Sequence, residues 1–410
     1  SSGTVTGQTI NFSAGTFTTE FAATPQTQVV SGAQTQEIGR WKFISAYDTY
    51  TIQEIKIDPD KNTSPGTTDN AEDVIISLSL KDGDTVLATE SFNNVDTSGS
   101  TGGYYFTGLI IPVAASTTKT LTVVANLTIP STTAGNSGLR IIPALTYVKY
   151  MNPQGTVAEI TDSTGNLYEA NSTYVYRSVP ILASVPLLNS GFTKLANSSE
   201  QDLYSFKLTA PSQGEIDVKQ FKINLNWAES DQNDVLRLHT LKLLRNGSDI
   251  TTSVTIQDED LGITAEDAGG VSEGNSKIIV TWDGDTRDTI TAGSTVTYTI
   301  KGTPAGFGAT DTSAVANDAV ALQFVADSAD VTFGSTTVDY IGFLNVGTSL
   351  TSIMKLFTSA TASGSAEDAN LIWSDVSAVS HSASTTASTG DWTNGYGILP
   401  PLSSQTWTFR

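Results

Sequence analysis

The sequence predicts an all-β protein: two tandem immunoglobulin-like or Greek-key β-sandwich domains with N- and C-terminal extensions. An internal repeat, period-two apolar alternation and hairpin dipeptides lead to this prediction. The repeat is the strongest signal, because EIGRWKFISA…YTIQEIKID (37–58) is echoed by DLYSFKLTA…IDVKQFKIN (202–224). Modules in tandem more often bind or build than catalyse.

The echo continues downstream, with loops of different length between the repeated strands. LKDGDTV (80–86) returns as LRNGSDI (244–250), and AASTTKTLTVVANLT (114–128) returns as TAGSTVTYTIKGT (291–303). The repeat divides the chain into an N-terminal arm, module one, a Pro-containing bridge, module two and a C-terminal β extension. Their ranges are 1–36, 37–168, 169–201, 202–345 and 346–410.

Module one shows strand and turn signals in order. Apolar residues at every second position of Val74-Ile76-Leu78-Leu80 predict a strand with one buried face. Asp82-Gly83 predicts a type I′ hairpin, and Leu121-Val123 a further alternating strand. Ala144–Met151 predicts a late strand that ends at a turn in residues 152–155.

The bridge and module two follow the same logic. Pro180 and Pro186 stiffen the bridge and keep it away from central sheet positions. Asn246-Gly247 and Asp283-Gly284 predict hairpins. Two aromatic residues, Trp227 and Trp282, are expected to pack in or beside the core.

The two ends of the chain carry apolar residues that need burial. Residues 346–410 contain the low-complexity stretch SAVSHSASTTASTG (377–390), predicted to be a mobile loop, and a further hairpin dipeptide, Asn394-Gly395. We expect assembly between copies through donated strands, from the arm or from the final strand. The residues assigned to this role are Ile10, Phe12, Phe17, Trp407 and Phe409. The alternative is that both ends fold back onto their own modules.

Composition narrows the class of partner and the compartment. The net charge of −21 opposes a nucleic-acid or anionic-membrane partner. Cysteine is absent, which removes disulfides and thiolate chemistry. No apolar run is long enough to span a bilayer as a helix. The chain begins at Ser1, which a removed signal peptide or a trimmed sequence would explain; we favour the first and expect a secreted, extracellular cell-surface protein.

No catalytic constellation stands out, and the chain is not predicted to be an enzyme. Its two histidines, His239 and His381, lie in a strand-like segment and a Ser-rich loop, and a Ser-His-Asp triad would need one of them beside a serine. Asp283 and Asp285 are better explained by a hairpin tip than by paired carboxylates of glycoside cleavage. We assign neither catalytic nor cofactor-binding residues.

Calcium is the one candidate cofactor. Hard oxygen ligands clustered in a loop suit Ca²⁺. The candidate ligands in the loop 58–73 are Asp58, Asp60, Asn62, Asp69 and Asp73. A second acidic cluster comprises Asp258, Glu259, Asp260, Glu266 and Asp267. A solvated acidic loop is the favoured interpretation of each.

Glycosylation is a further candidate modification. Six asparagines begin Asn-X-Ser/Thr triplets and matter if the host glycosylates surface proteins. They are Asn11, Asn62, Asn126, Asn171, Asn197 and Asn246.

Two segments resemble a known group of proteins. At LYSFKLTAPSQGEIDVKQFKINL (203–225) and NLIWSDVSAVSHSASTTASTGDWTNGYGILP (370–400) the chain resembles tandem immunoglobulin-like, Ser/Thr-rich secreted cell-surface proteins of Patescibacteria, the candidate phyla radiation. The resemblance covers about half the chain. It implies a surface location and a β-sandwich fold, and it carries over no catalytic residue.

The sequence therefore predicts a structural subunit of an extracellular assembly, either a pilus-like filament or a surface layer. Its expected partners are copies of itself in a head-to-tail polymer, with neither nucleic acid nor a membrane span. The alternative is a secreted adhesin or carbohydrate-binding protein that contacts surface glycans. The acidic loop 257–274 and the neighbourhood of Trp227 and Trp282 would then form its site.

Overall fold

A computed structural model describes most of both predicted modules and parts of the two extensions. The described residues are 14–23, 25–59, 71–92, 103–130, 137–162, 168–187, 198–229, 235–258, 271–272, 277–308, 318–327, 330–333, 336–339, 370–378, 380–383, 391–398 and 402–408.

The predicted all-β class is confirmed. Within the described residues the chain forms strands and two short 3-10 helices, Ala71–Asp73 and Thr251–Ser253, and it forms no α-helix. No described helix has the length and apolar character needed to cross a membrane. The first half contains β1 (Thr16–Phe21), β2 (Gln28–Ser31), β3 (Thr35–Ala46), β4 (Tyr50–Asp58), β5 (Ile75–Asp82), β6 (Thr85–Glu90), β7 (Tyr104–Phe106), β8 (Ile111–Val113), β9 (Thr118–Leu127), β10 (Leu139–Ile141), β11 (Ala144–Met151), β12 (Val157–Thr161), β13 (Thr173–Tyr176) and β14 (Ile181–Ser184).

The second half continues the strand series. It contains β15 (Gln201–Thr209), β16 (Ile216–Ala228), β17 (Arg237–Arg245), β18 (Ser248–Asp249), β19 (Val254–Gln257), β20 (Val271–Ser272), β21 (Lys277–Trp282), β22 (Asp288–Ile290), β23 (Thr295–Ala305), β24 (Ala319–Gln323), β25 (Asp330–Phe333), β26 (Thr336–Asp339), β27 (Leu371–Ser374), β28 (Trp392–Asn394) and β29 (Gln405–Thr408).

The chain forms two compact units, and each repeats one strand order. Unit 1 comprises Ser1–Gln28, Ala33–Thr128 and Arg140–Thr173, and unit 2 comprises Val29–Gly32, Ile129–Leu139 and Tyr174–Arg410. One sheet of unit 1 has the order β1-β3-β9-β5-β6, and one sheet of unit 2 has the matching order β14-β15-β23-β17-β18. The internal repeat of the sequence is therefore a repeat of topology.

The second sheet of each unit extends the match. In unit 1, β4 pairs with β7 and β8 on one side and with β11 on the other, and β12 pairs with β11. In unit 2, β16 pairs with β21 and β22 on one side and with β24 on the other, and β29 pairs with β24. Two smaller sheets, β10-β13-β2 and β25-β26, complete the described topology.

The residues matched in the two sequence copies are buried in both. Trp41 and its counterpart Phe206 are each 1% exposed. Ile55 and its counterpart Phe221 are also buried, on β4 and β16. The residues repeated in the sequence are therefore those on the core-facing sides of corresponding strands. Burial of apolar side chains is the main stabilising term of a β-sandwich, which explains why these positions stay apolar in both copies.

The unit boundaries differ from the predicted ones at three places. Strand β1 of the predicted arm pairs with β3 along its whole length and belongs to the sheet of unit 1. Strand β14 of the predicted bridge is an edge strand of unit 2, between Pro180 and Pro186. The described strands of the predicted C-terminal extension, β27, β28 and β29, join the second sheet of unit 2.

Of the four predicted hairpins two form, and one of these has a different turn type. At Asn246-Gly247 both residues have positive φ, 50° and 83°, as a type I′ turn requires. The β5–β6 hairpin closes on the pair Asp82↔Thr85, so Gly83 takes the first central position with φ 58°. Asp84 does not have positive φ, so the predicted type I′ turn is wrong and the geometry is that of type II′.

The third predicted hairpin, at Asp283-Gly284, is wrong. Strand β22 does not pair back onto β21; both strands pair with β16, at residues 216–218 for β22 and 220–224 for β21. The dipeptide is part of a turn that carries the chain along one edge of β16, from one segment of this strand to the next. The hairpin predicted at Asn394-Gly395 is wrong as well, because β28 pairs with the earlier strand β27 and the next described strand, β29, pairs with β24.

The alternation predicted across Val74-Ile76-Leu78-Leu80 fails at one residue. Leu78 and Leu80 are buried, but Ile76 is 53% exposed and Ile75 is only 4% exposed. The register of β5 against β9 shifts between Ile75 and Ser77. A bulge adds one residue to a strand and so exchanges the faces beyond it.

The shifted register of β5 can be tested at two adjacent residues. Ile75→Ala should lower the free energy of unfolding of unit 1 by about 2–5 kcal/mol, because it opens a cavity in a packed core. Ile76→Ala should cost less than about 1 kcal/mol, as is usual for an exposed position. Urea denaturation of both variants measures the difference, and a larger cost for Ile76→Ala would show that β5 has the unshifted register.

Candidate functional site

Strand β1 is an edge strand whose apolar residue reaches the core of unit 1. It pairs antiparallel with β3 from Thr16↔Ala46 to Phe21↔Trp41. Phe17 is 7% exposed, and its ring centroid lies 4.5 Å from that of Tyr150 and 5.3 Å from that of Tyr50. The other face of the strand is turned to solvent, so β1 is held by one ladder and one aromatic cluster.

Strand β29 is likewise an edge strand, but of the second sheet of unit 2. It pairs with β24 alone, from Ala319↔Thr408 to Leu322↔Gln405. Trp407 is 3% exposed, and its indole N–H donates to the carbonyl of Leu203 at 2.8 Å. A single buried aromatic residue thus anchors each of these two edge strands.

Two of the five residues predicted to take part in assembly lie on these strands, and the other three lie outside the described residues. Phe17 and Trp407 lie on β1 and β29, each paired within its own chain. Ile10, Phe12 and Phe409 lie outside the described residues. In both strands the chain folds back onto its own unit, which is the alternative arrangement. Donation to another copy stays a prediction, and it would require the donated strand to displace the strand already paired there.

Strand β16 at the centre of unit 2 carries buried charge. Asp217 and Lys222 are 1% exposed, and Lys219 and Gln220 are fully buried. The apolar residues of the strand, among them Val218 and Phe221, belong to the hydrophobic core. Charges buried to this degree need partners, because removing an ion from water costs several kcal/mol.

Lys219 fills the gap between the two strands that share one edge of β16. Its ammonium group donates to the carbonyls of Trp282, Gly284 and Thr286 at 2.9, 2.6 and 2.8 Å. Burial lowers the pKa of Lys219 to about 8, opposed by the nearby carboxylates of Asp285 and Asp283. The lysine thus satisfies three carbonyls at the end of β21 and in the turn that follows it.

Asp217 and Asp391 hold His381 between them. The Nε2 atom of His381 lies 2.8 Å from the Oδ2 atom of Asp217, and the Nδ1 atom lies 2.7 Å from the Oδ2 atom of Asp391. Arg287 forms an ion pair with the same Asp217 carboxylate, and the hydroxyl of Thr289 donates to its other oxygen at 2.5 Å. We call Asp217, His381 and Asp391 the Asp–His–Asp bridge.

The bridge is buried, and its carboxylates favour the protonated imidazole. The side chains of His381, Asp217 and Asp391 are 6%, 1% and 3% exposed, and the indole of Trp392 lies over the imidazole at 5.0 Å. Burial alone would lower the pKa of His381, but the hydrogen bonds to Asp217 and Asp391 outweigh it and raise the pKa to about 9. Both ring nitrogens face carboxylates, so the arrangement is an ion bridge rather than a nucleophile activated by a base.

Two more buried carboxylates hold the same part of the chain, which we call the C-terminal segment (370–378, 380–383 and 391–398). Asp327 accepts from the backbone N–H groups of Asn370, Leu371 and Gly395. Burial raises the pKa of Asp327 to about 7, although these N–H donors oppose the rise.

Asp375 lies within the segment and ties it to a distant part of unit 2. It accepts hydrogen bonds from the hydroxyl of Ser137 and from the N–H groups of Arg177 and Ser377, at 2.9 and 3.2 Å for the latter two. Burial raises the pKa of Asp375 to about 6. Where it is described, the stretch 377–390 is therefore not the mobile loop predicted, since Ser377 and Ala383 are 5% and 1% exposed.

Little in the sequence pointed to these groups. Asp217 and Lys219 stand where the first copy has Thr51 and Gln53, so the repeat itself points to a change from neutral to charged residues on one strand. The partner His381 lies 164 residues away, a distance over which no local pattern reports. The signal that the sequence does offer is the charged pair Asp217 and Lys219 between core residues of one strand, which indicates buried charge that needs partners.

The calcium candidates are not brought together by the structure. Asp58 ends β4 and is 1% exposed, and Asp73 is exposed in the 3-10 helix Ala71–Asp73. Asp60, Asn62 and Asp69 lie outside the described residues. Across the described part of the chain, His, Asp and Glu side chains form no group of three or more that could hold a metal ion. A calcium site in the loop 58–73 stays a prediction.

In the second acidic cluster, Asp258 is 4% exposed; Glu259, Asp260, Glu266 and Asp267 lie outside the described residues.

The glycosylation candidates differ in access. Asn126 is exposed on β9, and Asn246 is exposed at a hairpin turn, where its side-chain oxygen accepts from the N–H of Thr297 at 2.8 Å. The amide nitrogen of Asn171 donates to the carbonyl of Pro25 at 2.8 Å. Asn11, Asn62 and Asn197 lie outside the described residues. Glycosylation stays a prediction at each.

The remaining candidate residues have structural positions. His239 is half-buried on β17, and Asp283 and Asp285 are exposed in the turn beside Lys219. Trp227 packs beside the core against Phe307. Trp282 is 4% exposed and belongs to the core, as expected, so its ring cannot serve the surface glycan site proposed around it.

Comparisons with known proteins give distant structural likenesses alone. No family model matches the sequence, and no curated protein matches it. The C-terminal domain of the antigen I/II-type polypeptide BspA of Streptococcus agalactiae is 10% identical, with 76% of this chain and 95% of that chain covered and a TM-score of 0.21. The C-terminal domain of the Streptococcus pyogenes antigen I/II-family protein AspA is 9% identical, with 75% and 95% covered and a TM-score of 0.20.

A third likeness is to the 35 kDa C-terminal fragment of the major pilin GBS80 of Streptococcus agalactiae. It is 9% identical, with 86% of this chain and 98% of that chain covered and a TM-score of 0.20. At such TM-scores these likenesses support no conclusion about the role of this chain. They also do not bear on the resemblance to patescibacterial surface proteins, which stays a prediction.

The role of Lys219 can be tested by removing its charge. Lys219→Met should lower the free energy of unfolding of unit 2 by about 3 kcal/mol or more, because three carbonyls lose their donor. Lys207→Met, at an exposed position of β15, is the matched control and should change stability by less than about 0.5 kcal/mol. Equal effects in a urea titration would mean that the turn carbonyls find other donors.

The Asp–His–Asp bridge predicts a pH dependence with a definite sign. The pKa of His381 is raised from 6.5 to about 9, so its stabilisation is fully present below pH 6.5 and is lost as pH rises through 9. The difference in unfolding free energy between the wild type and His381→Gln should shrink by about 3 kcal/mol between pH 6 and pH 10.

Tryptophan fluorescence suits this measurement, because five of the six tryptophans belong to unit 2. The difference between the two proteins isolates His381 from other titrating groups. A difference that stayed constant over this range would show that His381 is neutral in the folded protein.

Proposed function

We propose that the chain is a structural subunit of an extracellular assembly, in which copies join head to tail by exchange of an edge strand. One observation carries this proposal: each unit ends one of its sheets with an edge strand, β1 or β29, that pairs with a single neighbour and inserts one buried aromatic residue. The same strand of another copy can replace it and form the same ladder.

A filament of pilus type is the preferred form, with a surface layer as the other. A strand that leaves one copy and enters the next makes a heterologous contact, and heterologous contacts propagate unless the rotation closes a ring. Two tandem sandwiches make a subunit of compact modules, and the sequence shows no repeat of the kind that binds cell walls. The net charge of −21 suits an exposed surface and opposes contact with nucleic acid.

Disulfide staples test the exchange directly, because the chain has no cysteine of its own. Thr18→Cys with Ile44→Cys would join β1 to its own β3, and Thr406→Cys with Ala321→Cys would join β29 to its own β24. The oxidised form of the correct staple should stay monomeric, and reduction should restore polymers. Negative-stain microscopy and light scattering over a range of concentration measure both.

The outcomes separate the mechanism from the function. If both oxidised proteins polymerise like the wild type, strand exchange is wrong and assembly uses another surface. If the unstapled wild type stays monomeric at every concentration, with and without Ca²⁺, the assembly role itself is wrong.

A further inference from the structure

The turn between β3 and β4 holds a tyrosine in a backbone conformation that tyrosine rarely adopts. Tyr47 has φ +70°, and the N–H of Asp48 donates to the carbonyl of Ala46 at 3.0 Å. These are the features of a γ-turn with a positive central φ, which is rare and strained. Glycine or asparagine would occupy this position at lower cost, so the choice of tyrosine needs another reason.

The side chain of Tyr47 gains little from the fold in return. It is 65% exposed, and among the exposed large hydrophobic side chains of the described residues it is the one aromatic. An aromatic ring held in water at a strained position costs stability and offers no core packing. Backbone strain beneath an exposed aromatic side chain is a reason to test that residue for a binding role.

The turn beneath the ring is braced rather than loose. The hydroxyl of Ser45 donates to the carbonyl of Asp48, and the N–H of Ser45 donates to the carbonyl of Thr117 at 3.0 Å. The hydroxyl of Thr49 accepts from the N–H of Ala115 at 3.2 Å. The β3–β4 turn is thus tied to the β8–β9 turn (114–117), and the ring is presented from a fixed base.

The same end of unit 1 brings further polar and aromatic groups to the surface. Asp48 is half-buried, and Gly15 approaches it so closely that an added Cβ would lie 2.5 Å from its Oδ2 atom. The β11–β12 turn is at this end too, because Met151 pairs with Thr51. Tyr150, half-buried, packs beneath these turns against Tyr50, at 5.7 Å between centroids.

The corresponding turn of unit 2 has none of this. Between β15 and β16 the chain runs Ala210-Pro211-Ser212-Gln213-Gly214-Glu215, which contains no aromatic residue. The repeated architecture therefore does not require an exposed ring at this place. The tyrosine is specific to unit 1.

We propose that the end of unit 1 formed by the β3–β4 and β8–β9 turns binds a neutral sugar ring. The face of Tyr47 stacks on the C–H face of the sugar. The carboxylate of Asp48 accepts hydrogen bonds from the sugar hydroxyl groups, and the hydroxyls of the β8–β9 turn donate to them or accept from them. The net charge of −21 repels acidic glycans, which favours an uncharged sugar. This site goes beyond the proposed assembly role and does not depend on it.

The test uses the full-length chain on an array of immobilised oligosaccharides, some neutral and some sialylated or sulfated. The wild type should bind neutral members. Tyr47→Asn, which accepts positive φ, should weaken that binding by about tenfold or more, and Tyr47→Trp should retain it. Ile110→Asn is the control for a general loss of exposed apolar surface, because Ile110 is 84% exposed on the same unit, and it should bind as the wild type does.

A thermal melt of the same variants supplies the second readout. Tyr47→Asn should melt at the same temperature as the wild type or a few degrees higher, because it relieves strain. Loss of binding without loss of stability would support the site. The proposal fails if no neutral glycan binds, if only acidic glycans bind, if Tyr47→Asn binds like the wild type, or if Tyr47→Asn melts at a clearly lower temperature. Polymers seen by microscopy would be unaffected in each case, so failure here leaves the assembly role standing.

Discussion

Buried charge on β16 constrains unit 2 more than any other single feature. Asp217, Lys219 and Lys222 are each at most 1% exposed on a strand whose apolar residues form the core. A buried charge without a partner would cost more than a well-packed apolar side chain contributes. The fold must therefore supply partners at fixed positions, and it draws them from parts of the chain that are far apart in sequence.

These partners explain why the C-terminal segment belongs to unit 2 rather than hanging from it. His381 reaches Asp217, and Asp327 receives three backbone N–H groups at the start and end of the segment. Strand β27 then pairs with β16 at residues 217–221, beside β24 at residues 224–228. Each contact satisfies polar groups that the others leave buried, so the segment and the strand stabilise one another.

Unit 1 shows the same strand order with a simpler solution. The residue of β4 at the place of Lys219 is Gln53, and its carbonyl accepts the N–H of Leu109 at 2.9 Å where the chain turns from β7 to β8. A backbone hydrogen bond reaches this place in unit 1, whereas the ammonium group of Lys219 reaches it in unit 2. Topology is therefore shared between the units, whereas the polar groups that satisfy this turn differ.

This contrast also shows what could be predicted from the sequence. Strands β3, β4, β15 and β16 were predictable because apolar alternation and the repeat are local signals. The exposed Ile76 was not, since one bulge reverses a face without changing composition. The Asp–His–Asp bridge was hidden for a different reason: its members are separated by up to 174 residues, from Asp217 to Asp391, and one lies in a low-complexity stretch.

The two kinds of strand have different consequences for assembly. Strand β16 is held on both edges and by buried ions, so its removal would leave charges without partners. Strands β1 and β29 are each held by one ladder and by aromatic side chains, Phe17 and Phe21 on β1 and Trp407 on β29, and a second copy would offer the same ladder and the same pocket. Because an exchanged strand would form the hydrogen bonds and the packing that it had in its own chain, the equilibrium depends on protein concentration and on the strain of the connecting loops. The kinetic barrier to exchange is high, because Phe17 or Trp407 must first leave a buried position. Exchange of these strands is thus expected to be slow but nearly neutral in free energy, which suits a polymer that forms once and persists.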